Sequence, residues 1–199
     1  MAKESLSVEE VREMCLAVAD KIIEAEPILS EADRQLGDGD HGIGMERGMN
    51  AVKEKLTAEE FASVGKVFMA MGGAMMASMG GASGAVFGTL FRAGGKSIKD
   101  AESFTAEELA SFFRNACDGV CDRGGAKPGD KTMVDALAPA ADKAAEVKGE
   151  ALPAAIAAVS DAAEAGKEAS KDMIATMGRA KTLGEKSIGK PDAGACSVA

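Results

Sequence analysis

Three carboxylates and the chain's only histidine fall within nine residues, in the stretch Asp33-Arg34-Gln35-Leu36-Gly37-Asp38-Gly39-Asp40-His41-Gly42. Clustered carboxylates repel one another and persist at neutral pH when cations neutralise them, and hard divalent ions prefer such oxygens. Magnesium is the natural choice. It seldom takes a full protein cage and completes its shell with water and substrate phosphates, so an acidic cluster of this kind predicts a nucleotide. Other readings fail on context. Gly37, Gly39 and Gly42 match a dinucleotide fingerprint, but no β-rich run precedes them, and Asp38 and Asp40 would repel a bare pyrophosphate. A calcium loop begun at Asp38 would put Ile43 where the turn glycine belongs and Met49 where the bidentate acid belongs. A plain solvated turn is the bland alternative, since Asp and Gly are ordinary loop residues.

A metal-bound nucleotide needs a phosphate cradle. Gly80-Gly81-Ala82-Ser83-Gly84 supplies small residues whose amides can approach oxygens, leading into a helix expected from about Ala85. A linker between helices would use the same residues. Gly94-Gly95-Lys96-Ser97 resembles the end of a P-loop, but Leu90 stands where the first glycine belongs. A third segment, Gly124 to Met133, carries the Pro128-Gly129 turn signal and reads as a flap over the base, with Thr132 equally suited to capping a helix. A fourth holds Gly178-Arg179-Ala180 and Pro191-Asp192-Ala193-Gly194-Ala195, where Arg179 is either a neutraliser of phosphate charge or an ordinary surface arginine.

The elements that must position these loops are helices. Ser7-Val8-Glu9-Glu10, Thr57-Ala58-Glu59-Glu60 and Thr105-Ala106-Glu107-Glu108 each form a capping box, so three helices are predicted to start there. Apolar residues recur at spacings of three and four after each, as in Val8, Val11, Cys15, Val18 and Ile22, or Phe61, Val64, Phe68 and Met71. Met133, Leu137, Ala140, Ala141 and Ala144 give a further helix, and residues 151 to 177 read as a long alanine-rich one. Glycines concentrate at 37–48, 72–95, 124–129 and 178–194, which read as the junctions. The Met-, Ala- and Gly-rich run from Met69 to Gly81 reads as close helix packing in preference to an apolar ligand wall.

Composition agrees. The chain has 199 residues, 46% hydrophobic, no Trp or Tyr and 4% aromatic content, which favours one all-α domain over residues 1–199. The expected architecture is an up-and-down assembly of about eight amphipathic helices with the functional loops at one end. A net charge of -9 argues against nucleic acid or an anionic membrane as partner. The N-terminus lacks a signal-type apolar core, and no apolar run reaches spanning length, so a cytoplasmic protein is expected. Cys117 and Cys121 lie four apart, but with one histidine in the chain they lack partners for zinc and are expected to pack as small apolar residues.

Taken in order, Gly37-Asp-Gly-Asp-His-Gly42, Gly80-Gly-Ala-Ser-Gly84, Pro128-Gly-Asp-Lys-Thr-Met-Val-Asp-Ala-Leu-Ala-Pro139 and Gly178-Arg-Ala with Leu183-Gly-Glu-Lys-Ser-Ile-Gly189 resemble the L subunit, or equivalent DAK2 domain, of dihydroxyacetone kinases. The resemblance spans nearly the whole chain. It implies a barrel of eight antiparallel helices with ATP or ADP across the loops at one end. It further implies that Asp33, Asp38 and Asp40 coordinate two Mg2+ ions and, with Arg179, form the catalytic group. His41, Gly42, Gly44, Ala82 and Ser83 would contact the nucleotide, Gly124, Thr132 and Met133 would line the base pocket, and Arg179 with Asp192, Ala193 and Gly194 would close the site. A separate K subunit would hold dihydroxyacetone through its own histidine, so His41 is not that nucleophile.

The family's usual Gln-Asp-Pro-Gly-Ala is Pro191-Asp192-Ala193-Gly194-Ala195 here, with little sequence beyond it for a final helix, so the barrel is expected to be incomplete or closed by a partner. The resemblance leaves several matters open. The donor is free ATP or a phosphotransferase-system M subunit, and the acceptor is dihydroxyacetone or a tetrulose such as erythrulose. The chain is either a kinase subunit or a nucleotide sensor docking on a transcription regulator, and a homodimer is compatible with either.

Overall fold

The computed structural model describes residues 3–199, and among them the chain is helical apart from one two-stranded ribbon. Strand β1 (Leu6–Ser7) pairs antiparallel with β2 (Ser103–Phe104), Leu6 opposite Phe104. Nine α-helices follow the order α1 (Val8–Glu24), α2 (Glu26–Arg34), α3 (His41–Ala58), α4 (Val64–Ser78), α5 (Gly81–Ser97), α6 (Ala106–Gly124), α7 (Val134–Glu146), α8 (Leu152–Ala169) and α9 (Ala193–Val198). Two 3-10 segments, Ser170–Asp172 and Arg179–Ser187, lie between α8 and α9. The all-α class is as expected, with nine helices rather than about eight.

From α2 to α8 each helix packs on the next, and α1 lies across α3 and α4. Six-residue α9 packs on α2, α7 and α8. Met45, Met49, Val52 and Leu56 of α3, Val67, Met71 and Met75 of α4, and Leu137, Ala140 and Ala144 of α7 meet in the core, all essentially removed from water. Their three- and four-residue spacing is what one buried helical face requires.

The capping boxes at Ser7 and Thr105 are present, each with reciprocal bonds to the glutamate at the third helical position, Glu10 and Glu108. Thr57 starts no helix. It lies near the end of α3, and α4 begins only at Val64 after Ser63. Local capping loses here to packing: burial of Leu56 continues the apolar face of Met45, Met49 and Val52, and carries helical geometry through Thr57. The alanine-rich stretch also ends early. α8 stops at Ala169, and residues 173–178 have no regular structure before the segment bearing Arg179.

Of the glycines from 72 to 95, only Gly80 and Gly81 make a junction, the turn from α4 into α5. The others lie within α4 and α5, which approach until a Cβ on Gly72 would lie 2.6 Å from the Gly88 carbonyl oxygen, and one on Gly95 2.7 Å from that of Gly65. The run Met69–Gly81 divides between its two readings: Met71, Gly72 and Met75 are buried on α4 as helix packing, whereas Met79, Gly80 and Gly81 line the cleft described below.

Candidate functional site

The acidic loop is short because two helix ends hold it. Asp33 belongs to the last turn of α2, residues 35–40 form the connection, and Asp40 occupies the N-cap of α3. An N-cap aspartate ordinarily accepts its own helix's free amides, but the Asp40 side chain makes no such bond. One oxygen from each of Asp33, Asp38 and Asp40 lies within 4.8 Å of the others, and this is the sole grouping of three or more metal-type ligands among the described residues. The guanidinium of Arg179, from the first position of the second 3-10 segment, pairs with Asp38. A cation is thus already matched to one of the three acids, and the donor set of three hard oxygens suits magnesium.

These groups line a cleft of about 560 Å³. Opposite the acids, α5 begins at Gly81, not near Ala85, so Ala82 and Ser83 lie in its first turn. Gly84 N–H donates to the Gly80 carbonyl, whereas the preceding amides lack intrahelical acceptors, as first-turn amides must. α3 and α7 also start at this cleft, at His41 and Val134, and helix N-termini carry partial positive charge that favours an anion.

All the site residues expected from the sequence line this cleft except Gly42: Asp33, Asp38, Asp40, His41, Gly44, Ala82, Ser83, Gly124, Thr132, Met133, Arg179, Asp192, Ala193 and Gly194. Gly42 points away, against α2, where a Cβ would sit 2.3 Å from the Glu26 carbonyl oxygen and 2.7 Å from the Ser30 amide nitrogen. Its lack of a side chain is needed for the contact between α2 and α3.

His41 is buried, and its ring faces Phe87 with centroids 5.8 Å apart. Burial lowers its pKa below the usual imidazole value, against the opposing pull of Asp33 and Asp40. The ring Nε2 and Ser197 Oγ are 2.8 Å apart, and the His41 amide donates to Asp33 at 3.3 Å. α9 and the acidic loop are therefore joined through one residue.

Sequence reasoning missed several lining groups. Met79, Val86, Phe87 and Val120 give the cleft an apolar side. Arg47 donates to the carbonyls of Ser78 at 2.9 Å and Met79 at 2.5 Å, which fixes the approach to Gly80. Its signal was available, because Arg47 follows Asp40 by two helical turns and so shares its face. The flap from Gly125 to Met133 is tied down by Asp135, which accepts from Gly129 N–H at 2.6 Å and Thr132 N–H at 2.7 Å. Thr132 combines both of its readings: it lines the cleft, and its hydroxyl accepts from Val134 N–H at 3.2 Å.

Asp192 caps α9, its carboxylate accepting from Ala195 N–H at 2.9 Å. Burial nevertheless raises its pKa from 3.8 to about 6, with Asp135 adding repulsion and the Ala195 amide opposing. Between about pH 4 and 6 the folded chain then holds a proton that the unfolded chain has released, so this group's contribution to stability falls as pH rises through that window. Asp192→Asn keeps a capping oxygen and removes the titration. Urea unfolding at pH 4 and pH 7 should show the variant gaining on the parent at the higher pH by on the order of 2 kcal/mol, discounted for partial exposure. An identical pH dependence in the two proteins would contradict the assignment.

Comparison with known proteins places this cleft in context. The family model described as the DAK2 domain matches residues 35–199. The PEP-dependent dihydroxyacetone kinase ADP-binding subunit DhaL of Escherichia coli (strain K12) is 42% identical over 85% of this chain and 82% of its own length. The corresponding subunit of kinase 1 of Listeria innocua serovar 6a is 38% identical over 90% and 86%. A D-erythrulose kinase of Mycolicibacterium smegmatis is 38% identical over 92% of this chain but only 32% of its own length. Among solved structures, the dihydroxyacetone kinase of C. freundii in complex with AMP-PNP and Mg2+ superposes with a TM-score of 0.71 at 26% identity, covering 99% of this chain and 33% of that one. With the family model spanning most of its length and relatives this similar, the chain belongs to the DAK2 domain family.

Proposed function

We propose that this chain is the nucleotide-carrying subunit of a dihydroxyacetone-type kinase, a single domain over residues 1–199 whose helices close around one core. One observation carries the reading: three carboxylates whose oxygens lie within 4.8 Å of one another share a cleft with the uncapped N-terminus of α5. Acids and anion-binding amides at one site are compatible with a polyphosphate only when divalent ions lie between them. Asp33, Asp38 and Asp40 would hold two magnesium ions, which when bound neutralise phosphate charge and fix its geometry. The α5 amides and Arg179 take the remaining phosphate charge, and Met79, Phe87 and Met133 give the base an apolar wall. Positioning and electrostatics are most of what phosphoryl transfer asks of a protein. The relatives named as ADP-binding subunits and the neighbour solved with AMP-PNP and Mg2+ support this assignment.

The acceptor would sit on a separate K-type subunit, as the subunit names of the relatives suggest. The similarity to erythrulose kinases favours a tetrulose as a second acceptor reading, since acceptor choice would lie outside this chain. The test mixes the chain with a K-type subunit and either ketose. One arm supplies magnesium and ATP, the other magnesium, ADP and a phosphotransferase donor protein. Turnover is expected in one arm. Tight magnesium-dependent ADP binding without turnover in either arm would replace the kinase reading with that of a nucleotide-sensing module for a regulator.

A further inference from the structure

Among the described residues, Lys131 is the one non-glycine residue with positive φ, at 59°. Side chains other than glycine's, and to a lesser degree those of Asn and Asp, adopt this conformation at a cost of about 1–2 kcal/mol. Glycine would remove that strain, so the side chain must contribute something there. It is almost completely buried, with 1% of its surface exposed. Its ammonium donates to the carbonyl of Ser170 at 2.5 Å and to that of Lys190 at 2.6 Å. These partners lie 39 and 59 residues further along the chain.

Ser170 is itself fully buried, and its hydroxyl oxygen accepts from the amide of Asp192 at 3.0 Å. Lys131, Ser170, Lys190 and Asp192 thus form one knot in the cleft wall, which Lys131 and Asp192 themselves line, joining the flap, the end of α8 and the turn that starts α9. From there α9 reaches His41 through Ser197, and His41 reaches Asp33. Burial lowers the Lys131 pKa below the usual lysine value, against the opposing pull of Asp192, Asp135 and Asp172.

We propose that Lys131 is a positioning residue of the cleft: its ammonium staples the flap to the Lys190–Gly194 turn, and so sets Thr132, Met133 and Ala193 in register with the acidic loop. The staple stands on these contacts alone. Its consequence for nucleotide affinity rests on the nucleotide reading of the cleft.

The test uses Lys131→Met, which keeps length and apolar volume but loses the donor. The released turn should carry α9 with it, and half-buried Cys196 on α9 reports this. Labelling by N-ethylmaleimide, followed peptide by peptide, should rise about tenfold at Cys196 and stay flat at Cys15, which is buried in the core. Magnesium-dependent ADP affinity should fall about tenfold, as expected for losing one charge-assisted anchor. Lys131→Gly relieves the backbone and should melt no lower than Lys131→Met, yet still expose Cys196.

Three results would overturn the staple. Equal rises at Cys15 and Cys196 would mean general destabilisation. Unchanged Cys196 labelling with weakened ADP would make Lys131 a direct ligand contact. Unchanged labelling and affinity would leave the lysine without a positioning role. Should the parent protein bind no ADP, the nucleotide reading fails while the labelling comparison still decides the staple.

Discussion

Asp38→Asn and Asp40→Asn should each weaken magnesium-dependent ADP binding by about thirtyfold, some 2 kcal/mol, in titration calorimetry. The amide keeps the size and shape of the carboxylate and removes its charge. What is lost is therefore attraction to a hard cation, and beyond the cation, to phosphate. Stability should hardly change, because each substitution removes repulsion from a cluster whose oxygens lie within 4.8 Å of one another. The two variants differ in one respect. Asp38 is paired with Arg179, so Asp38→Asn also releases a guanidinium into the cleft. That pair is largely solvent-exposed, and exposed pairs contribute little to folding. With EDTA present, parent and variants should bind ADP equally weakly. Parental affinity in both variants, with magnesium present, would remove the acidic loop from the binding site.

Much of this site was legible because its residues are chemically unusual for their setting. Three aspartates and a histidine among glycines have few structural uses, and local sequence placed them together without help from the fold. The flap and the Asp192 turn were legible only through ordered motifs, since residues so far apart meet in space and not in sequence. The ties that hold them were not visible at all. Nothing beside the Pro128-Gly129 turn signal sets Lys131 apart in the sequence; its backbone conformation and its two distant carbonyl partners do. Gly42 has a constraint hidden for a related reason: it stands inside the acidic motif, but contact between α2 and α3 decides what surrounds its missing side chain. At Thr57 a sound capping signal lost to core burial one residue earlier, at Leu56.

The glycines of 72–95 show the same limit most sharply, and they yield a prediction with a built-in control. Gly65 and Gly72 on α4 are seven residues apart, as are Gly88 and Gly95 on α5, so each pair lies on one helical face. The two faces meet backbone to backbone, Gly72 against Gly88 and Gly65 against Gly95. A Cβ on Gly72 would lie 2.6 Å from one carbonyl oxygen and 2.8 Å from the Arg92 amide nitrogen, neither of which can rotate away. Gly72→Ala must therefore separate the helices, a form of overpacking that costs about 3 kcal/mol at the upper end of the usual range. Its melting temperature should fall by about 9 °C for a chain of this size. Adjacent Gly73 has nothing within 4 Å of the same imagined atom. Gly73→Ala gains helix propensity without a clash, and should stabilise by about 0.5–1 kcal/mol. Opposite signs from neighbouring glycines are the signature of a packed interface, because a flexible junction would treat the two alike. Because α4 leads through Met79 into Gly80 and the first turn of α5, Gly72→Ala should also weaken ADP binding while Gly73→Ala leaves it intact. Equal melting temperatures for the two variants would show that the helices do not meet at Gly72, and would detach the cleft-facing end of α5 from that packing.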